Sequence, residues 1–299
     1  MSSHAYLILA HDNFYVLEKL LRLVDDPRNS IHIHIDKKVA KFDPDALARL
    51  CRHAPVTFIP RVPVYWGDYS QLEATFRLFE SAAPGKHDYY HLLSGADLPL
   101  QSQDNIHDFC SRNAGKEFVG FAREFDPRWV TEIQLLTRHL RPRSKVTGLF
   151  RRTAAQNFIR LQRLFKYDRS RKFGLILKKG SDWYSITHAL AEHFLANEKT
   201  GRELLKHGLV PAEFYLQTLV WNSDFRERVY DIADEYASNM RLIDWNRGEP
   251  YVFRSKDFDE LIGCGRLFAR KFQETVDRDV VDRIYAHLVG SQDRGHHPA

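Results

Sequence analysis

The stretch from Ala5 to Asp36, AYLILAHDNFYVLEKLLRLVDDPRNSIHIHID, decides the fold class. Its first six residues form an apolar run of strand length. Leu17, Leu20, Leu21 and Val24 then recur at helical spacing, and Ser30–Asp36 alternates isoleucine with polar residues at the period of a strand. Strand, helix and strand in this order make the crossover unit of a parallel sheet, whose helices cover its faces. The chain is therefore read as α/β.

The alternation continues outward from this unit. Pro44–Arg52 reads as a helix, Val56–Pro60 as a strand, and Gln71–Ala82 as a helix with Leu72, Thr75, Phe76 and Phe79 on one face. His87–Leu93 is a further strand, Ile106–Arg112 a short helix, and Phe118–Ala122 a closing strand. Ligands of such sheets bind beyond the carboxyl ends of the strands. After residue 125 the pattern is less regular. Gly180–Thr187 reads as a strand, and His188–Asn197, Glu213–Trp221, Phe225–Tyr236 and Asp277–Leu288 as helices. Residues 1–289 are expected to form one domain with halves 1–125 and 126–289, and 290–299 a mobile tail.

The 299 residues carry 44 Lys and Arg against 39 Asp and Glu and are 43% hydrophobic, a globular composition that excludes a disordered chain or a collagen. Cys51, Cys110 and Cys264 are far apart, which leaves no disulfide framework and no paired-cysteine zinc site; a reducing compartment is expected. No apolar run approaches the ~20 residues of a membrane span, and Met1–Ala10 lacks the form of a secretory leader. The expected location is the cytoplasm, with peripheral contact at the inner face of a membrane. That contact is read from residues 138–179, which hold fourteen Lys and Arg and one acid, Asp168. Such a stretch attracts anionic lipid head groups, acidic or lipid-linked glycans, or nucleic acid. Within it Phe158, Leu161, Leu164 and Phe165 share a helical face beside Arg160, Arg163 and Lys166.

Several short motifs carry chemistry. His32, His34 and Asp36 share one strand face, which fits packed histidines or a metal site, and Asp36 ends its strand where an acid can meet a nucleoside. In Tyr65–Ser70, Trp66-Gly67 signals a turn and Ser70 with Glu73 a capping box. The run Tyr89–Leu100 ends a buried strand in Ser94-Gly95 and presents Asp97. Glu213 lies in the first turn of an apolar helix, where it complements the helix dipole or acts as a base. Arg270 and Lys271 stand between Phe268 and Phe272; cations held among aromatics suit a diphosphate, although snorkelling basic residues look the same in sequence.

Taken in order, these motifs resemble glycosyltransferase family 14, the core-2/I-branching β-1,6-N-acetylglucosaminyltransferases and the peptide O-xylosyltransferases, from about Tyr6 to Phe272. The resemblance implies a GT-A-like fold and an inverting transfer from a UDP-sugar donor to a glycan or lipid-linked glycan acceptor. It implies Glu213 as general base, with Ala212 where the family usually has an acid. It implies Lys271 and Arg270 at the diphosphate, Arg254 as a further diphosphate contact at a different spacing, and Asp36 at the nucleotide. Trp245 and Trp183, the latter in Gly180-Ser181-Asp182-Trp183, fall on the acceptor side. No metal or other cofactor is expected, since Gly95 stands at the first position of the Asp-x-Asp pair that holds a divalent cation in many nucleotide-sugar transferases. GlcNAc is the favoured sugar, with a peptide O-xylosyltransferase-like enzyme as the alternative. From another class, the rival is a basic nucleic-acid or polyanion-binding protein, in which Trp66-Gly67 and Ser94–Asp97 have no role.

Overall fold

The computed structural model describes residues 2–134 and 145–295. The alternating half supplies β1 (His4–Ala10), β2 (Asn29–Ile35), β3 (Val56–Phe58) and β4 (Tyr89–Ser94), all parallel. A small second sheet is built from β5 (Leu98–Pro99), β7 (Arg241–Ile243) and β8 (Phe268–Arg270), while β6 (Ser185–Thr187) joins the main sheet antiparallel to β4. The main sheet has the order β3-β2-β1-β4-β6. The mainly parallel α/β sheet expected from the sequence is therefore present.

Helices α1 (Phe14–Leu23), α2 (Pro44–Ala48), α3 (Tyr69–Ala82) and α4 (Gln103–Arg112) belong to the first half. The second half carries α5 (Arg128–Thr131), α6 (Lys145–Leu164), α7 (His188–Ala196), α8 (Glu198–Leu205), α9 (Ala212–Trp221), α10 (Glu235–Ser238), α11 (Phe258–Gly263) and α12 (Asp279–Gly295). Strand β1 explains the layering. Tyr6, Ile8 and Ala10 point into one core with α1, α12 and the second sheet; Ala5 and Leu7 point into the other with α3, α7 and α9. A strand buried on both faces is apolar throughout, as the opening run of the sequence is.

Local chemistry overrides the sequence pattern in several places. Asp68, not Ser70, caps α3: its carboxylate accepts the Ser70 N–H at 2.9 Å, and the Ser70 hydroxyl accepts from Tyr65 N–H. Glu73 pairs with Arg77 one turn on instead of completing a capping box. Phe118–Ala122 makes one isolated bridge, Phe118 with Ser185, and Gly120 then runs so close to the Glu235 carbonyl that a Cβ there would lie 2.4 Å from its oxygen. Phe225–Tyr236 is not one helix: a 3₁₀ turn at Asp224–Arg228 gives way to a loop in which Asp231 and Asp234 take backbone N–H groups that helix carbonyls would otherwise hold. Within the expected strand Gly180–Thr187, only Ser185–Thr187 pairs. The last helix runs on to Gly295, so the expected tail begins inside it; polar residues prolong a helix whose nucleus is already packed by Val280, Val281, Ile284 and Leu288. The early part of the basic stretch, 138–144, lies outside the described residues.

Candidate active site

The strand order reverses between β1 and β4, and a cleft of about 1030 Å³ opens at their carboxyl ends. Its floor is Ala10–Asp12 from β1 and Ser94–Ala96 from β4. The Gly95 N–H donates to the Leu9 carbonyl at 2.9 Å, and a Cβ on Gly95 would lie 2.9 Å from that of Ala10. The turn thus has no room for the side chain that an Asp-x-Asp pair would place there. Asp97 follows, nearly fully buried, and accepts from the Ser94 N–H at 2.8 Å and the Ser94 hydroxyl at 2.6 Å.

One wall is cationic. Arg270, at the end of β8, lies 3.5 Å from Asp97 and stacks its guanidinium over Trp183 at 4.3 Å. Its Nη1 is buried and has no hydrogen-bond partner among the described residues. Lys271 follows it along the cleft. Lys38 and Asp36 complete this side: they pair at 2.9 Å, and the Lys38 N–H also donates to the Asp36 carboxylate at 2.8 Å. Burial works to raise the Asp36 pKa, but the bonds from Lys38 outweigh it and hold the carboxyl below its ordinary value.

A second group of lining residues forms an acidic wall. Glu213, in the first turn of α9, bonds Lys179 at 2.6 Å. The Gly180 N–H donates to the Glu213 carbonyl at 2.9 Å, and a Cβ on Gly180 would sit 2.0 Å from the Gly120 carbonyl oxygen. Only glycine allows that approach, which brings Lys179 and Asp182 to the start of α9. Asp182 accepts from the Gln71 amide. Burial, helped by the nearby Glu213 charge, pushes its pKa up to about 6, against the pull of Arg270 and Gln71. Glu235 lines the same wall, and burial raises its pKa too, with Lys179 opposing.

A crevice at the carboxyl ends of a parallel sheet, lined by both cations and carboxylates, suits a phosphorylated ligand. A model of the family described as Core-2/I-Branching enzyme matches residues 4–260. The chain belongs to this glycosyltransferase family. Curated relatives include Xylosyltransferase 2 of Canis lupus familiaris and of Homo sapiens, each 26% identical over 320 residues, covering 97% of this chain and 34% of the relative. Xylosyltransferase of Ciona intestinalis is 24% identical over 317 residues, again 97% of this chain and 34% of that one. The chain thus spans about a third of the length of these relatives. A crystal structure of mouse Xyloside xylosyltransferase 1 in its apo form aligns over 90% of this chain and 97% of its own, at 13% identity and a TM-score of 0.38, too slight a likeness to argue from.

As a member of the family the chain brings Asp36, Trp183, Glu213, Trp245, Arg270 and Lys271 to one cleft. Arg254 is exposed and is not among the cleft's lining residues: Phe253 beside it is buried in the core, and the alternation turns Arg254 outward. Trp183 is buried beneath Arg270 instead of offering its face to an acceptor, whereas Trp245 is 53% exposed at the mouth, with Trp66 on the cleft lining at 77%. Sequence reasoning missed Asp182, Lys179, Glu235 and Lys38. Asp182 stood inside a quoted motif, and Lys38 two residues beyond a chosen carboxylate. Of the two readings of the β2 histidines, packing holds: His34 Nε2 accepts from Val62 N–H, His32 Nδ1 meets the Ser81 hydroxyl, and burial lowers both pKa values to about 4.

Proposed function

We propose that this chain transfers a sugar from a UDP-sugar to an acceptor hydroxyl with inversion, using its own cations at the leaving diphosphate. The observation that carries this reading is the meeting of Arg270 and Lys271 with Asp182 and Glu213 in one cleft, where the buried Arg270 Nη1 has the 3.5 Å ion pair to Asp97 but no hydrogen bond among the described residues. A buried guanidinium N–H held only at ion-pair distance is short of a full hydrogen bond, and a phosphate oxygen supplies one. Asp36, which follows β2 on the cleft lining, is our reading of the nucleoside contact. Fixed cations at the departing diphosphate stabilise charge where it develops, with no rearrangement during the reaction.

The attacking hydroxyl loses its proton to the Asp182–Glu213 pair. Such a role typically contributes ~10²–10⁴-fold. Within the pair the Asp182 pKa is raised to about 6, near the working range of a general base, and Glu213 is ion-paired with Lys179. Trp245 and Trp66 supply exposed aromatic faces for the acceptor.

The sequence favoured GlcNAc as the sugar. The names of the relatives favour xylose, and we take UDP-xylose as the donor and a protein or glycan hydroxyl as the acceptor. The test is isothermal titration with UDP, followed by release of UDP from UDP-xylose and from UDP-GlcNAc. UDP binding with turnover of UDP-xylose supports the reading. Turnover of UDP-GlcNAc alone overturns the donor, and absence of UDP binding overturns the transferase assignment for this cleft.

A further inference from the structure

Helix α6 is mounted with its apolar edge outward. Among its described side chains, from Thr153 on, Ala155 and Gln162 are buried and Ile159 half-buried, and the three recur on one face. The Gln162 side chain accepts from Ile133 N–H at 2.8 Å and donates to the Ile133 carbonyl at 3.0 Å, and Arg163 bonds the buried Glu132 at 2.8 Å. A polar residue thus anchors the helix, while Leu161, Leu164 and Phe165 are 50%, 74% and 73% exposed, continuous with half-buried Phe158. The end of the helix is fixed rather than frayed. Lys166 adopts φ 50°, and the Tyr167 N–H closes back to the Gln162 carbonyl at 2.9 Å, which holds Phe165 on the outside.

Three large apolar side chains at i, i+3 and i+4 on an exposed helix end need an occupant. The surrounding charge says which. Arg160 and Lys166 are exposed on the same helix end, and further along the chain the exposed Arg171 and Lys172 pair with Asp168 and Glu203. We propose that the C-terminal end of α6, through Leu161, Leu164 and Phe165 with Arg160 and Lys166, docks the protein on the surface of an anionic lipid bilayer. Apolar tips flanked by cations match the boundary between acyl chains and acidic head groups. A nucleic acid matches the cations but leaves the leucines without a role. The chain leads from this face towards the acidic wall: Asn222 clamps Ile176 through two hydrogen bonds, Thr218 accepts from Lys178 N–H, and Lys179 then enters the cleft.

The test uses the full chain and vesicles of phosphatidylcholine with and without phosphatidylglycerol. Sedimentation with the anionic vesicles only is expected, weakened by salt. Leu164→Ser and Phe165→Ser are each expected to weaken it by about tenfold, the scale of one large apolar side chain leaving an apolar environment. Phe165→Trp is expected to shift its emission to the blue when anionic vesicles are added. Both positions are exposed, so an unchanged far-ultraviolet circular dichroism spectrum serves as the folding control. The proposal is overturned if the wild type ignores anionic vesicles at low salt, or if both serine variants bind as the wild type does. It is also overturned if the serine variants only convert a dimer to a monomer in analytical ultracentrifugation, or if random duplex DNA is bound and vesicles are not. UDP binding in the cleft is independent of each of these outcomes.

Discussion

The two walls of the cleft are built in different ways. The cationic wall rests on regular strands: Arg270 ends β8, and its anchor Asp97 is locked by Ser94 at the end of β4. Stacking on Trp183 and the Asp97 pairing hold the guanidinium in place before any ligand arrives. The acidic wall comes from a loop, 179–182, and from the first turns of α9 and α10, drawn together by glycine contacts rather than by a ladder. Lys179 is the counter-ion of Glu213 there and also faces Glu235. The contrast separates two tasks. A leaving group needs positive charge that does not move; a base needs a carboxylate whose proton affinity is tuned by its neighbours.

The largest effects are therefore expected on the acidic wall. Asp182→Asn and Glu213→Gln are each expected to lower kcat by ~10²-fold or more while UDP affinity, read by calorimetry, stays within its wild-type range. The pH profile sharpens this. The base must be deprotonated, so kcat/KM for the wild type is expected to rise with pH through about 6, the value to which burial and Glu213 push Asp182. Glu213→Gln removes a negative neighbour, so the acid limb of its residual activity is expected to move to lower pH. Coupled carboxylates titrate as a pair, and the limb is assigned to the pair until both variants are compared. Near-normal turnover by Asp182→Asn would remove it from the proton path.

The cationic wall is expected to respond in binding. Arg270→Ala removes a buried guanidinium, and a charge-assisted hydrogen bond of this kind is worth ~1.5–3 kcal/mol, or roughly ten- to a hundredfold in UDP affinity. Trp183→Leu keeps the charge and takes away the surface on which it stacks, so a smaller loss of the same kind is expected. If Arg270→Ala lowered kcat and left UDP affinity intact, the division between the walls would fail.

The same contrast explains what the sequence could reveal. The parallel strands were legible because burial on both faces makes them apolar from end to end, and the aromatic flanks Phe268 and Phe272 singled out Arg270 and Lys271, which line the cleft. Asp182 was not legible. A single acid between Ser181 and Trp183 belongs to no periodic pattern, and its pKa depends on Glu213, thirty-one positions away. The second sheet is built from strands of two or three residues, too short for a period to emerge. Between Phe225 and Tyr236 the spacing was helical, but Asp231 and Asp234 take up the backbone donors. Arg254 matched a motif by type, whereas its direction was set by the burial of Phe253.

The smallest expected effect tests whether the cationic wall is complete. Turnover is expected to be unchanged in excess EDTA. Gly95 has no space for a first carboxylate, since its Cβ would meet that of Ala10 at 2.9 Å. Asp97 is nearly fully buried, and its oxygens already serve Ser94 and Arg270, which makes it the anchor of a cation rather than an open ligand. Among the described residues, the group with ligand atoms close enough to share an ion is His4, His91 and Cys110. His4 opens β1, whose other end forms the cleft, and at ~3.3 Å per residue its seven residues span about 20 Å. An ion held there is too far away to touch the diphosphate. Lys271→Ala is therefore expected to weaken UDP binding equally with and without EDTA, because the charge it removes is the protein's own. If EDTA stops transfer, Mn²⁺ restores it and Lys271→Ala stays active, the departing diphosphate is held by a metal, and the cationic wall only orients it.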